Sequence, residues 1–167
     1  MKIKPILVSL TEKARQEAEG IPGAAHHIVF LVHGYGATSL TMLPFELILR
    51  HTYPHLTVVN SKFNEDKTED SFENLGKRLA LEIDVSLKGQ KFGDNYCISF
   101  IAHSLGGLIV RSALTHLEQQ RYHLRNLITL ATPHLGHLYH NSSVNRFGMW
   151  IVTKLKQSKV MESLLLA

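Results

Sequence analysis

The chain has 167 residues, a formal net charge of +4 and a single cysteine. That length makes one domain with one core the expectation, and ordinary apolar content with no run long enough to cross a bilayer excludes a disordered or transmembrane chain. Cys97 has no partner for an internal disulfide, so it reads as a small buried hydrophobe, which fits a reducing compartment. The first residues, MKIKPILVSLTEKARQEAEG, lack the extended apolar region and small-residue cleavage site of a secretory signal, and a cytoplasmic protein is expected.

In chain order, residues 1–26 read as an N-terminal extension, with His26 and His27 given no role beyond solvation. Ile28 to Val32 is a buried strand candidate. Leu40 to Arg50 reads as a helix with Met42, Leu43, Leu47 and Ile48 on one side, stopped near Tyr53-Pro54. Leu56 to Val59 is a second strand. A polar loop from Asn60 to Thr68 leads into a helix from about Asp70 to Leu87, whose inner face carries Phe72, Leu75, Leu79 and Ile83. Tyr96 to Ile101 is a third strand, Leu105 to Leu117 a helix, and Leu127 to Leu130 a fourth strand. Strands separated by helices imply right-handed crossovers and a mostly parallel sheet flanked by helices, an α/β fold.

The positive charge is unevenly placed. Through Ser104 there are 11 Lys+Arg against 12 Asp+Glu, and beyond it 7 against 2, namely Glu118 and Glu162. With no dense basic cluster and no aromatic-interleaved motif, this excess reads as a solvated face and not as a nucleic-acid site.

The stretch ISFIAHSLGGLIV, Ile98 to Val110, changes period in its middle, so a strand runs straight into a helix at His103-Ser104-Leu105. Such a corner holds its serine in a strained conformation at the carboxyl edge of the sheet, which requires small neighbours; Ala102 and Gly106 meet that need. It also points the next helix's N-terminus at charge forming beside the serine, making the Leu105 N–H one candidate oxyanion donor. Seventy residues earlier the strand IVFLV ends in His33-Gly34-Tyr35-Gly36, whose loop can bring the Tyr35 N–H to the other side of an oxyanion hole. Gly107 allows the helix to pack closely on the sheet.

VHGYG, FIAHSLGGLIVRSAL and LATPHLGHLY together resemble the lipase-like serine esterases of the α/β-hydrolase superfamily, in particular the hydrolase-like domain of certain large eukaryotic proteins. The resemblance runs from about His27 to the end of the chain. It implies a partial α/β-hydrolase fold with sheet order second, first, third, fourth, Ser104 as nucleophile and Tyr35 and Leu105 as oxyanion donors. It also places His134 at the cleft edge, in the loop Thr132-Pro133-His134-Leu135-Gly136. Ala102 stands where such elbows usually carry glycine. The implied substrate is a lipid or other acyl ester, and no cofactor is implied.

In this fold the triad runs nucleophile, acid, histidine, with the last two after later strands. Beyond Ser104 the chain has no aspartate, Glu118 and Glu162 follow no strand, and none of His116, His123, His134, His137 and His140 follows two further strands. Without a base the hydroxyl is a poor nucleophile. The expectation is therefore a hydrolase fold lacking its last strands, with acid and histidine outside this chain and the missing strands supplied by a continuation or a partner. A non-catalytic hydrolase-like scaffold subunit is the alternative. His134, His137 and His140 lack accompanying carboxylates or cysteines, and no metal is assigned to them. Residues 27–140 are read as the hydrolase core. Residues 141–167 are read as a helical lid or packing segment, whose stripe Val144, Phe147, Ile151 and Leu155 allows contact with a membrane surface through 144–155.

Overall fold

The apolar run after the paired histidines forms the central strand of a parallel sheet. In the computed structural model, residues 26–88, 96–117 and 123–135 are described. They build β1 (His26–Val32), a 3-10 turn (Ser39–Met42), α1 (Leu43–Thr52), β2 (Thr57–Asn60), α2 (Phe72–Lys88), β3 (Tyr96–His103), α3 (Gly106–Ala113) and β4 (His123–Leu130). The strand order is β2-β1-β3-β4, as the resemblance implied, and every pairing is parallel. Such a sheet has to be covered on both faces.

One face is covered by α2 and α3. Leu75, Leu79 and Ile83 on α2 and Ile109 and Val110 on α3 are fully enclosed with Ile28, Phe30, Ile98 and Phe100 of the central strands. The rings of Phe30 and Phe100 lie 5.9 Å apart in a tilted pair. The expected inner face of α2 is thus the observed one. Its N-terminus is fastened by the Ser71 hydroxyl, which accepts the Asn74 N–H at 3.3 Å, and by the Asp70 carboxylate, which accepts the Ser71 N–H and the Asn74 side-chain amide at 2.8 and 3.0 Å. The Asn74 side chain above all, with the Ser71 N–H and the Arg78 guanidinium, holds the Asp70 pKa down at about 2.

The other face differs from expectation. Residues 39–42 form a separate 3-10 turn, and α1 buries none of its residues fully; Leu47 and Ile48 are 59% and 62% exposed. Met42 of the expected side does pack with Val29, Leu31 and Val58, joined by Leu49 where Leu47 and Ile48 were expected. The side of this helix that carries Leu47 and Ile48 therefore faces outward.

β4 begins four residues earlier than periodicity indicated, because His123, Arg125 and Asn126 interrupt its apolar pattern while the backbone still pairs with β3. His27 also needs correction: it lies inside β1, and its Nε2 is 2.8 Å from the Ser99 hydroxyl on β3. Burial, then the charges of Arg125 and His55, lower its pKa. The expectations for residues 1–25, Glu118, Gly136, His137, His140 and 141–167 fall outside the described residues. Among the described residues no helix is long and apolar enough to cross a membrane.

Candidate active site

β1 and β3 are neighbours, yet the chain leaves β1 toward β2 on one side and leaves β3 toward β4 on the other. Their carboxyl ends therefore open into a crevice, the place where ligands bind in open α/β sheets. Ser104 occupies this point with φ of 53°, in the left-handed region. A side chain there is strained by about 1–3 kcal/mol and persists only where surrounding contacts over-determine it. Those contacts are present: the Ser104 N–H donates to the Leu130 carbonyl at 2.7 Å, and the Ser104 carbonyl accepts from the Thr132 hydroxyl at 2.8 Å and the Gly107 N–H at 3.2 Å.

The loop after β1 touches this corner directly. A Cβ placed on Gly34 would lie 3.0 Å from both the His103 carbonyl oxygen and Ser104 Cβ, and 3.4 Å from Ser104 Oγ. The start of α3 is pressed against the end of β1 as well, since a Cβ on Gly106 would lie 2.5 Å from the Val32 oxygen and 2.8 Å from that of His33. Gly106 is thus required by close backbone approach, as the sequence suggested for the residue two beyond the serine. His33 is buried, and its Nδ1 lies 3.1 Å from the Gly34 carbonyl oxygen. A carbonyl only accepts, so the ring carries its proton on Nδ1.

A strap formed by the loop after β2 braces the His33–Gly36 turn from outside. Thr68 Oγ1 accepts the Gly36 N–H at 2.8 Å, the Glu65 carboxylate accepts the Ser39 N–H at 2.7 Å, and the Tyr35 hydroxyl donates to Glu69 at 2.9 Å. The hydrogen bonds from Ser39 hold the Glu65 carboxyl below its ordinary pKa. The strap is tied down by buried Glu82 of α2, which accepts the Lys62 N–H at 2.8 Å and the Ser61 hydroxyl at 2.5 Å. None of these strap residues was singled out from sequence. The one available signal was Glu82, a carboxylate on the otherwise apolar inner face of α2.

His33, Gly34, Tyr35, His103, Ser104, Leu105 and Gly106 therefore meet at one sheet edge, with His103 exposed and Leu105 buried. His134 reaches the same edge but is engaged elsewhere: Nε2 is 2.9 Å from Thr129 Oγ1, and its carbonyl accepts from Arg111 at 3.3 Å. His123 opens β4 opposite Cys97, at the far end of the sheet, and His116 lies past the end of α3, which has run away from the corner. Among the described residues no three His, Cys, Asp or Glu side chains gather as a metal site.

Comparison with known proteins gives the family and the fold. The family described as "Putative serine esterase (DUF676)" matches residues 23–167. A Saccharomyces cerevisiae protein named "Putative lipase ROG1" is 34% identical over a span covering 69% of this chain and 18% of that protein. Among solved structures, Bacillus licheniformis lipase BlEst2 in its propeptide form superposes with a TM-score of 0.54 at 22% identity, covering 86% of this chain and 30% of that one. Phospholipase PlaB from Legionella pneumophila, solved with thio-NAD, gives 0.50 at 21% identity, covering 83% and 31%. At such identities the likeness speaks for the fold, and the chain spans less than a third of the length of each of these relatives. The chain belongs to the family described as "Putative serine esterase (DUF676)", and its parallel sheet with flanking helices is part of an α/β-hydrolase fold.

Proposed function

We propose that this chain carries the nucleophile-bearing part of a serine hydrolase that cleaves a lipid or other acyl ester through an acyl-Ser104 intermediate. The observation that carries the reading is Ser104 itself, held at φ of 53° at the end of β3 with the Gly34 turn against it. A residue is kept in that conformation at a crevice when its side chain has to project there. In the proposed reaction Ser104 Oγ attacks the substrate carbonyl carbon. The Tyr35 and Leu105 N–H groups take the negative charge that develops on the carbonyl oxygen, helped by the positive end of α3. His33, Gly34, His103 and Gly106 shape the walls that make this approach possible.

The acid and histidine of the triad are proposed to come from elsewhere. No carboxylate follows Ser104 among the described residues, and His134 is tied to Thr129 and Arg111. The same reading assigns further strands to the outer edge of β4, from a continuation of the polypeptide or a partner, because Leu124, Leu127 and Ile128 stay 39–50% exposed there. The alternative, a hydrolase-like scaffold without catalysis, is favoured by the same lack of a described base.

Expressing residues 1–167 alone and offering an activated short-chain ester and a serine-directed phosphonate tests the reading. The expected rate is residual, on the order of 10³–10⁴ over water from binding and oxyanion stabilisation, and it changes little in Ser104→Ala, whereas the phosphonate adduct is lost in that variant. Rapid turnover abolished by Ser104→Ala would mean that a base lies within the chain, with His134 the first to replace. Adduct formation that survives Ser104→Ala unchanged would remove Ser104 as nucleophile. Membrane contact through 144–155 belongs to the same proposal, and lack of sedimentation with anionic vesicles at low salt would remove it.

A further inference from the structure

Each of the two proposed oxyanion donors shares a peptide bond with a carbonyl that the fold grips on its far side. The peptide unit is planar and trans, so its C=O and N–H point in opposite directions, and fixing one aims the other. The Leu105 N–H belongs to the peptide whose carbonyl is that of Ser104, held by the Thr132 hydroxyl at 2.8 Å and the Gly107 N–H at 3.2 Å. The Tyr35 N–H belongs to the peptide whose carbonyl is that of Gly34, held by His33 Nδ1 at 3.1 Å and the Ala37 N–H at 3.4 Å. Two loops seventy residues apart thus use the same arrangement: one backbone and one side-chain contact on the carbonyl.

Both side chains sit in tight surroundings. His33 is 1% exposed and its Nε2 has no partner, which an apolar side chain of similar size would avoid. Thr132 fills the space that a Cβ on Gly107 would need, so the first turn of α3 carries a glycine there while the threonine reaches the Ser104 carbonyl. Both side chains end on the carbonyl of a donor peptide.

We propose that His33 and Thr132 are positioning residues that aim the Tyr35 and Leu105 N–H groups into the crevice by holding the carbonyl of the same peptide. This rests on the acyl-transfer reading of Ser104. Neither side chain need touch substrate.

The test separates the two ideas by measuring orientation and function independently on the 167-residue chain. Residual dipolar couplings of the unliganded chain in a weakly aligning medium report the N–H directions. The Leu105 vector is expected to turn in Thr132→Val and to stay in Thr132→Ser, which keeps the hydroxyl. The Tyr35 vector is expected to turn in His33→Leu and to stay in His33→Asn, whose amide keeps a donor near the Nδ1 position. Unchanged couplings across β1 and β3 show that each variant has folded, and His33→Gln, whose amide lies nearer the Nε2 position, replaces His33→Leu if that variant does not fold.

Phenylboronic acid, which forms a tetrahedral anion on a serine hydroxyl, then reads the donors. It is expected to bind Thr132→Val and His33→Leu about tenfold more weakly than the parent, and the Ser and Asn variants within about threefold. Vectors that stay in place in both Thr132→Val and His33→Leu overturn the positioning roles, whatever the boronate does. Vectors that turn as expected, with a boronate that binds the parent chain without moving the Tyr35 and Leu105 amide resonances, sustain the positioning and overturn the oxyanion reading.

Discussion

β3 and β4 are adjacent strands of one sheet and carry the same kind of side chain in the same rows, yet their surroundings are opposite. Phe100 is paired in register with Leu127, and Ile98 with Leu124. The β3 members are 2% and 0% exposed, and the β4 members 39% and 42%. Residue type does not separate them. β3 has a strand on each side and helices α2 and α3 across one face, whereas β4 has a described neighbour on one side alone. The difference teaches that burial in a parallel sheet is conferred by neighbours. The candidate site lies at the carboxyl end of the enclosed strand, where Leu130 at the end of β4 and Thr132 just beyond it hold the strained Ser104.

Four measurements break or sharpen this contrast, and the largest effect belongs at the centre. Phe100→Ala removes a ring packed against Phe30 between two strands and is expected to cost about 3–5 kcal/mol in denaturant unfolding. A cost below about 1 kcal/mol would show that the centre is no better packed than the edge. Gly106→Ala comes next: its new Cβ would meet the Val32 and His33 carbonyls, and overpacking of this kind costs about 1–3 kcal/mol. Because the clash lies where α3 meets β1, the variant should also change the amide spectrum around Ser104 more than around β4.

The third effect is at the start of α2. Ser71→Ala removes the hydroxyl that caps the Asn74 N–H and is expected to cost about 1 kcal/mol. The neighbouring carboxylate adds a pH dependence. Asp70 has a folded pKa of about 2, below its ordinary value of 3.8, so the stability it contributes is present above about pH 4 and is lost as pH falls toward 2. In Asp70→Asn the midpoint of thermal unfolding should fall less steeply over that window than in the parent; parallel curves would remove Asp70 from the account.

The smallest effect belongs at the edge. Leu127→Ala is expected to cost the isolated chain about 1 kcal/mol or less, because more than a third of the side chain is already in water. Replacing Leu127 by Lys should be similarly mild in the monomer and should lower any self-association seen by sedimentation. A cost equal to that of Phe100→Ala would mean that the β4 face is covered in solution.

Much of this was readable from one sequence because it depends on local alternation. The change of period at His103-Ser104-Leu105, the small residues Ala102 and Gly106 beside the serine, the inner face of α2 and the order of strands and helices all follow from which residues stand two, three or four apart. The meeting of the Gly34 turn with Ser104 was also within reach, since the resemblance set both loops on one sheet edge. Tertiary structure decided the rest. It turned the Leu47 and Ile48 side of α1 outward, began β4 at polar His123, joined His27 to Ser99 and braced the Gly34 turn with Thr68, Glu65 and Glu69. It also set Thr132 on the Ser104 carbonyl, a contact 28 residues apart in sequence. Periodicity says which side of an element is apolar, but the partner of that side, and of each hydrogen-bonding group, is chosen by the strand order and the crossovers, which bring distant residues within a few ångströms of one another.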